Sequence, residues 1–93
     1  MKKITIPITK SARQFGYIIW TRKLANQIDA ILGGASKVHL YFQGIDLGEK
    51  RVDRKYRRIS VGYRWTRRLP DDANIYILSM PDKTEKKLFV ETA

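Results

Sequence analysis

RRISVGYRWTRRL, residues 57–69, is the stretch on which the fold turns, because two periodicities compete within it. Ile59, Val61, Tyr63 and Trp65 share one parity and Arg58, Ser60, Gly62 and Arg64 the other, the alternation of a half-buried strand. Read as one long strand, it makes residues 49–65 a basic β-ribbon folded about a turn at 53–56, a shape that can enter a major groove. A second reading comes from elsewhere in the chain. GYIIWTRKLANQI, residues 16–28, lies over residues 57–69 without a gap. In that register each copy reads as a short strand, a break, a helical turn closed by an apolar residue, and a second strand at 38–42 or 75–78. Dropping one residue instead aligns GYIIWTRKL (16–24) with GYRWTRRL (62–69). Residues 63–69 are thus either helix or strand, and the pattern leaves both open.

Outward from this stretch the chain reads as strands around one helix. Residues 3–9, KITIPIT, set Ile4, Ile6 and Ile8 against Thr5, Pro7 and Thr9; Pro7 cannot donate to a ladder, which confines the strand to an edge or a chain end. Residues 10–15 read as a polar connector to Gly16, and 17–20 as a short apolar strand. The one clear helix is expected over about 22–32. There Leu24, Ile28, Ile31 and Leu32 repeat at helical spacing, with Thr21 as N-cap and Gly33-Gly34 as the stop. Residues 38–42 read as a strand with His39 and Tyr41 outward, and 49–52 as a short strand after Gly44 and Gly48. Pro70-Asp71-Asp72 makes a turn, and strands at 75–78 and 88–90 flank a loop at 80–86. The expected fold is a single β-rich α+β domain over 1–93, with one clear helix and about six short strands.

Ninety-three residues suit one small domain, and 43% hydrophobic with 11% aromatic content excludes wholesale disorder. A chain of this size buries only about 60–65% of its unfolded surface, so dimerisation would help its thin core. The absence of cysteine excludes disulfides, thiolate zinc sites and cysteine nucleophiles. No apolar run approaches the roughly 18 residues of a membrane span, and the opening MKKITIPITK lacks the apolar stretch of a signal peptide. A cytoplasmic protein with no membrane partner is expected.

Charge is the strongest compositional signal. Nineteen Lys and Arg against nine Asp and Glu leave +10. Between residues 50 and 68 stand nine cations (Lys50, Arg51, Arg54, Lys55, Arg57, Arg58, Arg64, Arg67, Arg68) and one acid, Asp53, so that this stretch carries +8. Seven of the nine are arginine, whose planar fork suits phosphate oxygens and guanine edges. Solubility needs no such clustering, and a single-sign patch repels itself without a counter-ion. The pattern points to a polyanion.

The two copies resemble the swapped-hairpin family of SpoVT/AbrB-type transcription regulators and MazE-type antitoxins, whose signature is roughly G-R-[VI]-x-[IV]-P-x-x-[IL]-R-x-x-L followed by a turn and a β-hairpin. The second copy carries it through Arg58, Ile59, Val61, Trp65, Arg67 and Leu69, with Pro70-Asp71-Asp72 at the polar turn; Gly62 stands where the family has Pro. The first keeps Gly16, Ile18, Leu24 and Ile28, with Tyr17 in place of Arg and Thr21 in place of Pro. The resemblance implies two interleaved β-α-β units, about 1–53 and 54–93, closing a small AbrB-like barrel within one chain as a pseudo-dimer, or a homodimer. It also implies duplex DNA binding in transcription regulation. By position that role falls on Arg58, Arg64, Arg67 and Arg68 in the second unit, on Arg13, Arg22 and Lys23 in the first, and on Arg54, Lys55 and Arg57 in the connector.

Other chemistries find less support in the sequence. His39 is the single histidine and sits on the polar parity of its strand, as a surface histidine would. Pro70-Asp71 followed by Glu85-Lys86-Lys87 fits the spacing of a PD…(D/E)xK nuclease, in which two carboxylates hold Mg²⁺; turn formation is the simpler account. Neither a catalytic residue, a metal nor a cofactor is expected. Trp20, Trp65, Tyr17, Tyr41, Tyr56 and Tyr63 interleave with the cations, as base stacking requires, although alternating strands more often pack such rings inward. Rings exposed on the basic face would favour RNA or single-stranded DNA over duplex. A protein partner, for an antitoxin-like module or an inhibitor of a nucleic-acid enzyme, is the alternative of another class; the chain lacks the long acidic or apolar tail of the MazE-type relatives.

Overall fold

A computed structural model describes residues 2–93. Its strands are β1 (Lys3–Pro7), β2 (Tyr17–Ile19), β3 (Lys37–Phe42), β4 (Ile45–Asp53), β5 (Arg58–Ser60), β6 (Ile75–Ser79) and β7 (Lys87–Thr92). Helices α1 (Lys10–Phe15), α2 (Ala25–Leu32) and α3 (Tyr63–Thr66) complete the fold, with a 3₁₀ turn at Arg22–Leu24 ahead of α2. The seven strands lie in the order β1-β6-β7-β3-β4-β5-β2 and curl into a nearly closed, barrel-like sheet; all neighbours are antiparallel except β3 and β7. The α+β, strand-rich class matches expectation, with one strand more than foreseen.

Alternation explains the interior. Ile4 and Ile6 of β1, Val38, Leu40 and Phe42 of β3, Tyr76 and Leu78 of β6, and Leu88 and Val90 of β7 all point into one core. Ile28, Ile31 and Leu32 of α2 join the same core. Pro7 lies on β1, an edge strand, as its missing N–H requires. Between β3 and β4, Gln43 (φ 52°) and Gly44 (φ 80°) form a two-residue turn with both φ values positive, the geometry that suits the twist of paired strands. Leu40 pairs with Gly48 and Tyr41 with Asp46, so Leu47 is an extra residue in a β-bulge. That bulge lets β4 begin at Ile45 rather than at residue 49.

Three expectations are corrected. Residues 10–15 are a helix, not a connector: the Thr9 hydroxyl oxygen accepts from the Ala12 N–H at 3.0 Å, and Gly16, at φ 75°, ends the helix in the left-handed region. The segment 22–32 is helical throughout, as expected, but it is not α-helix from its start. It begins as the 3₁₀ turn, and the Thr21 side chain makes no capping bond, while Gly33 stops α2 as foreseen. The long strand over 57–65 does not form. β5 ends at Ser60 because the Val61 and Gly62 N–H groups both turn onto the Gly16 carbonyl, at 2.8 and 2.9 Å, and Gly62 (φ 108°) leads into α3. Tyr63 is therefore exposed, whereas Thr66, of the opposite parity, is fully buried. The ribbon shrinks to the two pairs Val52–Ile59 and Asp53–Arg58.

The ungapped register of the two copies reappears in the elements. Residues 17–19 and 58–60 are β2 and β5, each followed by helical turns and then by a longer strand, β3 or β6. They pair with each other, antiparallel, with Ile18 opposite Ile59 at the middle of the ladder. Both isoleucines are fully buried.

Candidate nucleic-acid interface

The cations of residues 50–68 stand on the end of β4 (Lys50, Arg51), on the β4–β5 turn, on β5, and on or just after α3. Asp53 shapes the turn: its carboxylate accepts from the Tyr56 N–H at 3.1 Å and lies 3.7 Å from the Arg58 guanidinium. Arg58 points outward from β5, because Ile59 takes the core side, and lies over two rings, Tyr17 at 4.5 Å and Tyr56 at 5.0 Å. Lys55 of the same turn also lies over Tyr56, with its ammonium 5.5 Å from the ring centre. Such cation–ring contacts contribute about 0.5–1 kcal/mol at exposed sites. They also hold charge and ring together at the surface.

Arg64 of α3 and Arg68, just beyond its end, flank the half-buried Trp65 ring at 5.3 and 5.2 Å. Arg67 lines an open groove of about 350 Å³ with Lys10, Arg13, Gln14, Tyr63 and Asp71. Arg64, Arg67 and Arg68 are exposed, and among the described residues no ion pair engages them. Arg22 and Lys23 are likewise exposed, on the 3₁₀ turn before α2.

Besides Arg58, three of the ten expected contact residues have structural occupations. The Arg13 guanidinium donates to the carbonyls of Leu69, Pro70 and Ala73 at 3.2, 3.1 and 2.8 Å. The Arg13 carbonyl in turn accepts from the Thr66 hydroxyl at 2.8 Å, so α1 and the segment after α3 are laced together. Arg57 is half-buried in a left-handed conformation (φ 53°), its carbonyl accepts from the Trp20 N–H at 3.0 Å, and its Nε has no hydrogen-bond partner. Arg54 donates to Asp29 of α2 at 3.0 Å. The first two partnerships span dozens of residues of sequence, so nothing local announces them.

The other singled-out residues take ordinary places. His39 is hydrogen-bonded to Asp46, whose carboxyl the Gly48 N–H and His39 together hold below its usual range. Lys87 is paired with Glu85 at 2.8 Å, which pushes its ammonium pKa up. Asp71 lies in the groove beside α3. Among the described residues no group of three His, Cys, Asp or Glu side chains gathers as a metal site. Trp20 is in the core, Trp65, Tyr17 and Tyr41 are half-buried, and Tyr56 and Tyr63 are exposed. Phe15, at the end of α1, is exposed too, and its place in a stretch read as connector hid it.

No helix of the described residues is long and apolar enough to cross a membrane. Comparison with protein-family models, with curated proteins and with solved structures returned no match.

Proposed function

We propose that this protein is a non-catalytic nucleic-acid-binding protein of the cytoplasm that grips the phosphate backbone with its arginine-rich second half. The observation that carries the reading is the trio Arg64, Arg67 and Arg68, exposed on one four-residue helix and its end, with no ion pair among the described residues to neutralise them. Unpaired arginines on a short element supply phosphate contacts that fix register. DNA is the partner and regulation of transcription the role, as the SpoVT/AbrB-type resemblance implies. The pairing of β2 with β5 about Ile18 and Ile59, between segments with the same order of elements, supports the two-unit reading, 1–53 and 54–93, in which one chain closes its own swapped-hairpin barrel as a pseudo-dimer.

Fluorescence anisotropy of labelled oligonucleotides over a salt series tests this. Binding should weaken with salt at a slope of about −0.9 per phosphate contact on duplex and about −0.7 on single strands. Replacing Arg64, Arg67 and Arg68 together by alanine should flatten that slope. A chain that binds no oligonucleotide at low salt, yet forms a stoichiometric complex with a protein, would overturn the reading in favour of an interaction module.

A further inference from the structure

Every aromatic side chain that stands exposed among the described residues belongs to one edge of the molecule: Phe15 at 60%, Tyr56 at 57% and Tyr63 at 55%. Two links bring them into line. The Arg58 guanidinium joins Tyr56 to Tyr17 of β2, lying over both rings. From Tyr17 the chain steps back to Gly16, whose backbone runs so close to residues 62 and 63 that a Cβ there would stand 2.2 Å from the Tyr63 nitrogen. Phe15 and Tyr63 therefore flank a single backbone crossing. The groove holding Lys10, Arg67, Gln14 and Asp71 opens beside Tyr63.

Scattered exposed rings are ordinary on a soluble protein. Gathered on one edge with cations at hand (Lys55 and Arg58 at Tyr56, Lys10 and Arg67 at Tyr63), they match a specific chemistry. A duplex hides its base faces in the stack, while an unpaired strand offers them to aromatic rings and its phosphates to nearby cations. We infer that this edge binds single-stranded nucleic acid, with bases stacking on Tyr56 and Tyr63, Phe15 and Tyr17 between them, and the phosphates met by Arg58, Lys55 and Arg67. In the groove, Gln14 can donate to or accept from a base edge. The Asp71 carboxylate can accept from an exocyclic amino group, which adenine, cytosine and guanine carry and thymine and uracil lack. The inference rests on the nucleic-acid reading above and gives its substrate class as an unpaired strand.

The test compares a 12-nucleotide DNA of mixed sequence, the RNA of the same sequence and the corresponding 12-base-pair duplex, by anisotropy at one salt concentration. Both single strands should bind more tightly than the duplex; RNA alone or DNA alone doing so supports the inference and identifies the sugar preferred. Tyr56→Ala and Tyr63→Ala should each weaken single-strand binding about ten-fold, the usual effect of removing a stacking ring, while Tyr56→Phe and Tyr63→Phe retain it. Both tyrosines are exposed, and unchanged thermal melting of the variants would show the fold intact. Tighter binding of the duplex, or alanine variants that bind single strands as well as the unsubstituted chain does, would overturn the inference. If the Arg64, Arg67 and Arg68 alanine variant still lost binding in that case, the phosphate-gripping reading would survive it. Failure of the unsubstituted protein to bind any of the three would overturn both.

Discussion

Residues 17–32 and 58–69 start alike and end differently. Each opens with a three-residue strand whose central isoleucine is buried against the other's, and each turns next into helix. In the first, the helix runs on through α2 and buries Ile28, Ile31 and Leu32. In the second, α3 lasts four residues and buries only Thr66. Beyond the half-buried Trp65 ring that packs against the core, it is held by the Arg13 guanidinium on three carbonyls, and a hydroxyl on a fourth. One region anchors the barrel by desolvation, while the other is pinned by a few directed bonds and is free to carry arginine on its outer side. Similar local plans are thus stabilised by different physics, and the more weakly buried copy is the one that presents its arginines outward.

The largest loss of stability is expected where the two regions touch. Gly16→Ala forces a left-handed position and drives a Cβ into the backbone of Tyr63, so a loss of about 4 kcal/mol is expected in urea denaturation. Gly34→Ala, at φ 78° with nothing within 4 Å, is the control and should cost about 1 kcal/mol.

Next comes the anchor itself. Ile28→Ala removes a fully packed side chain of α2 and should cost about 3 kcal/mol by the same measurement. Arg13→Ala sharpens the contrast, because it should cost about 2 kcal/mol and speed amide exchange at residues 63–73 while leaving α2 protected.

The smallest effect concerns the strands that follow. β3 turns only apolar side chains inward, whereas β6 turns in Tyr76, whose buried hydroxyl has no hydrogen-bond partner. Tyr76→Phe should therefore raise stability by about 1 kcal/mol at neutral pH. Burial also pushes the Tyr76 hydroxyl up to about 12 from 10.0. Below pH 10 both folded and unfolded chains keep that proton. Between 10 and 12 the unfolded chain releases it while the folded one holds it, so stability falls as pH rises through this window. The stability gap between Tyr76→Phe and the unsubstituted chain should widen there, which paired thermal melts at stepped pH would register.

Much of the barrel was legible because it is written in periodicity. Ile4 and Ile6 alternate, Pro7 marks an edge, Ile28, Ile31 and Leu32 repeat at helical spacing, and Gly33 stops the helix. α1 was hidden because a helix with one buried residue, Ala12, has no stripe to detect. Residues 57–65 carried a true alternation that tertiary structure overrode: the Gly16 carbonyl, more than forty positions away, captures two N–H groups and ends the strand. The charge of the interface was plain in composition, and the sorting of its arginines was not. Arg13 and Arg58 look equivalent in sequence, yet one is spent on distant carbonyls and the other lies over two tyrosine rings.

The position of β7 sets the order of events during synthesis. Residues 87–92 pair with β6 on one side and β3 on the other, in the middle of the sheet. β1, from residues 3–7, has its partner in β6, at 75–79. A nascent chain emerging from the ribosome can therefore assemble β2 to β5 early, but the sheet stays divided until its last strand arrives. Pairings between such distant segments fold slowly, since loop closure must precede any gain from contact. Until β6 arrives, β1 has no partner on either edge, and its alternating isoleucines make it a segment in need of protection in the growing polypeptide.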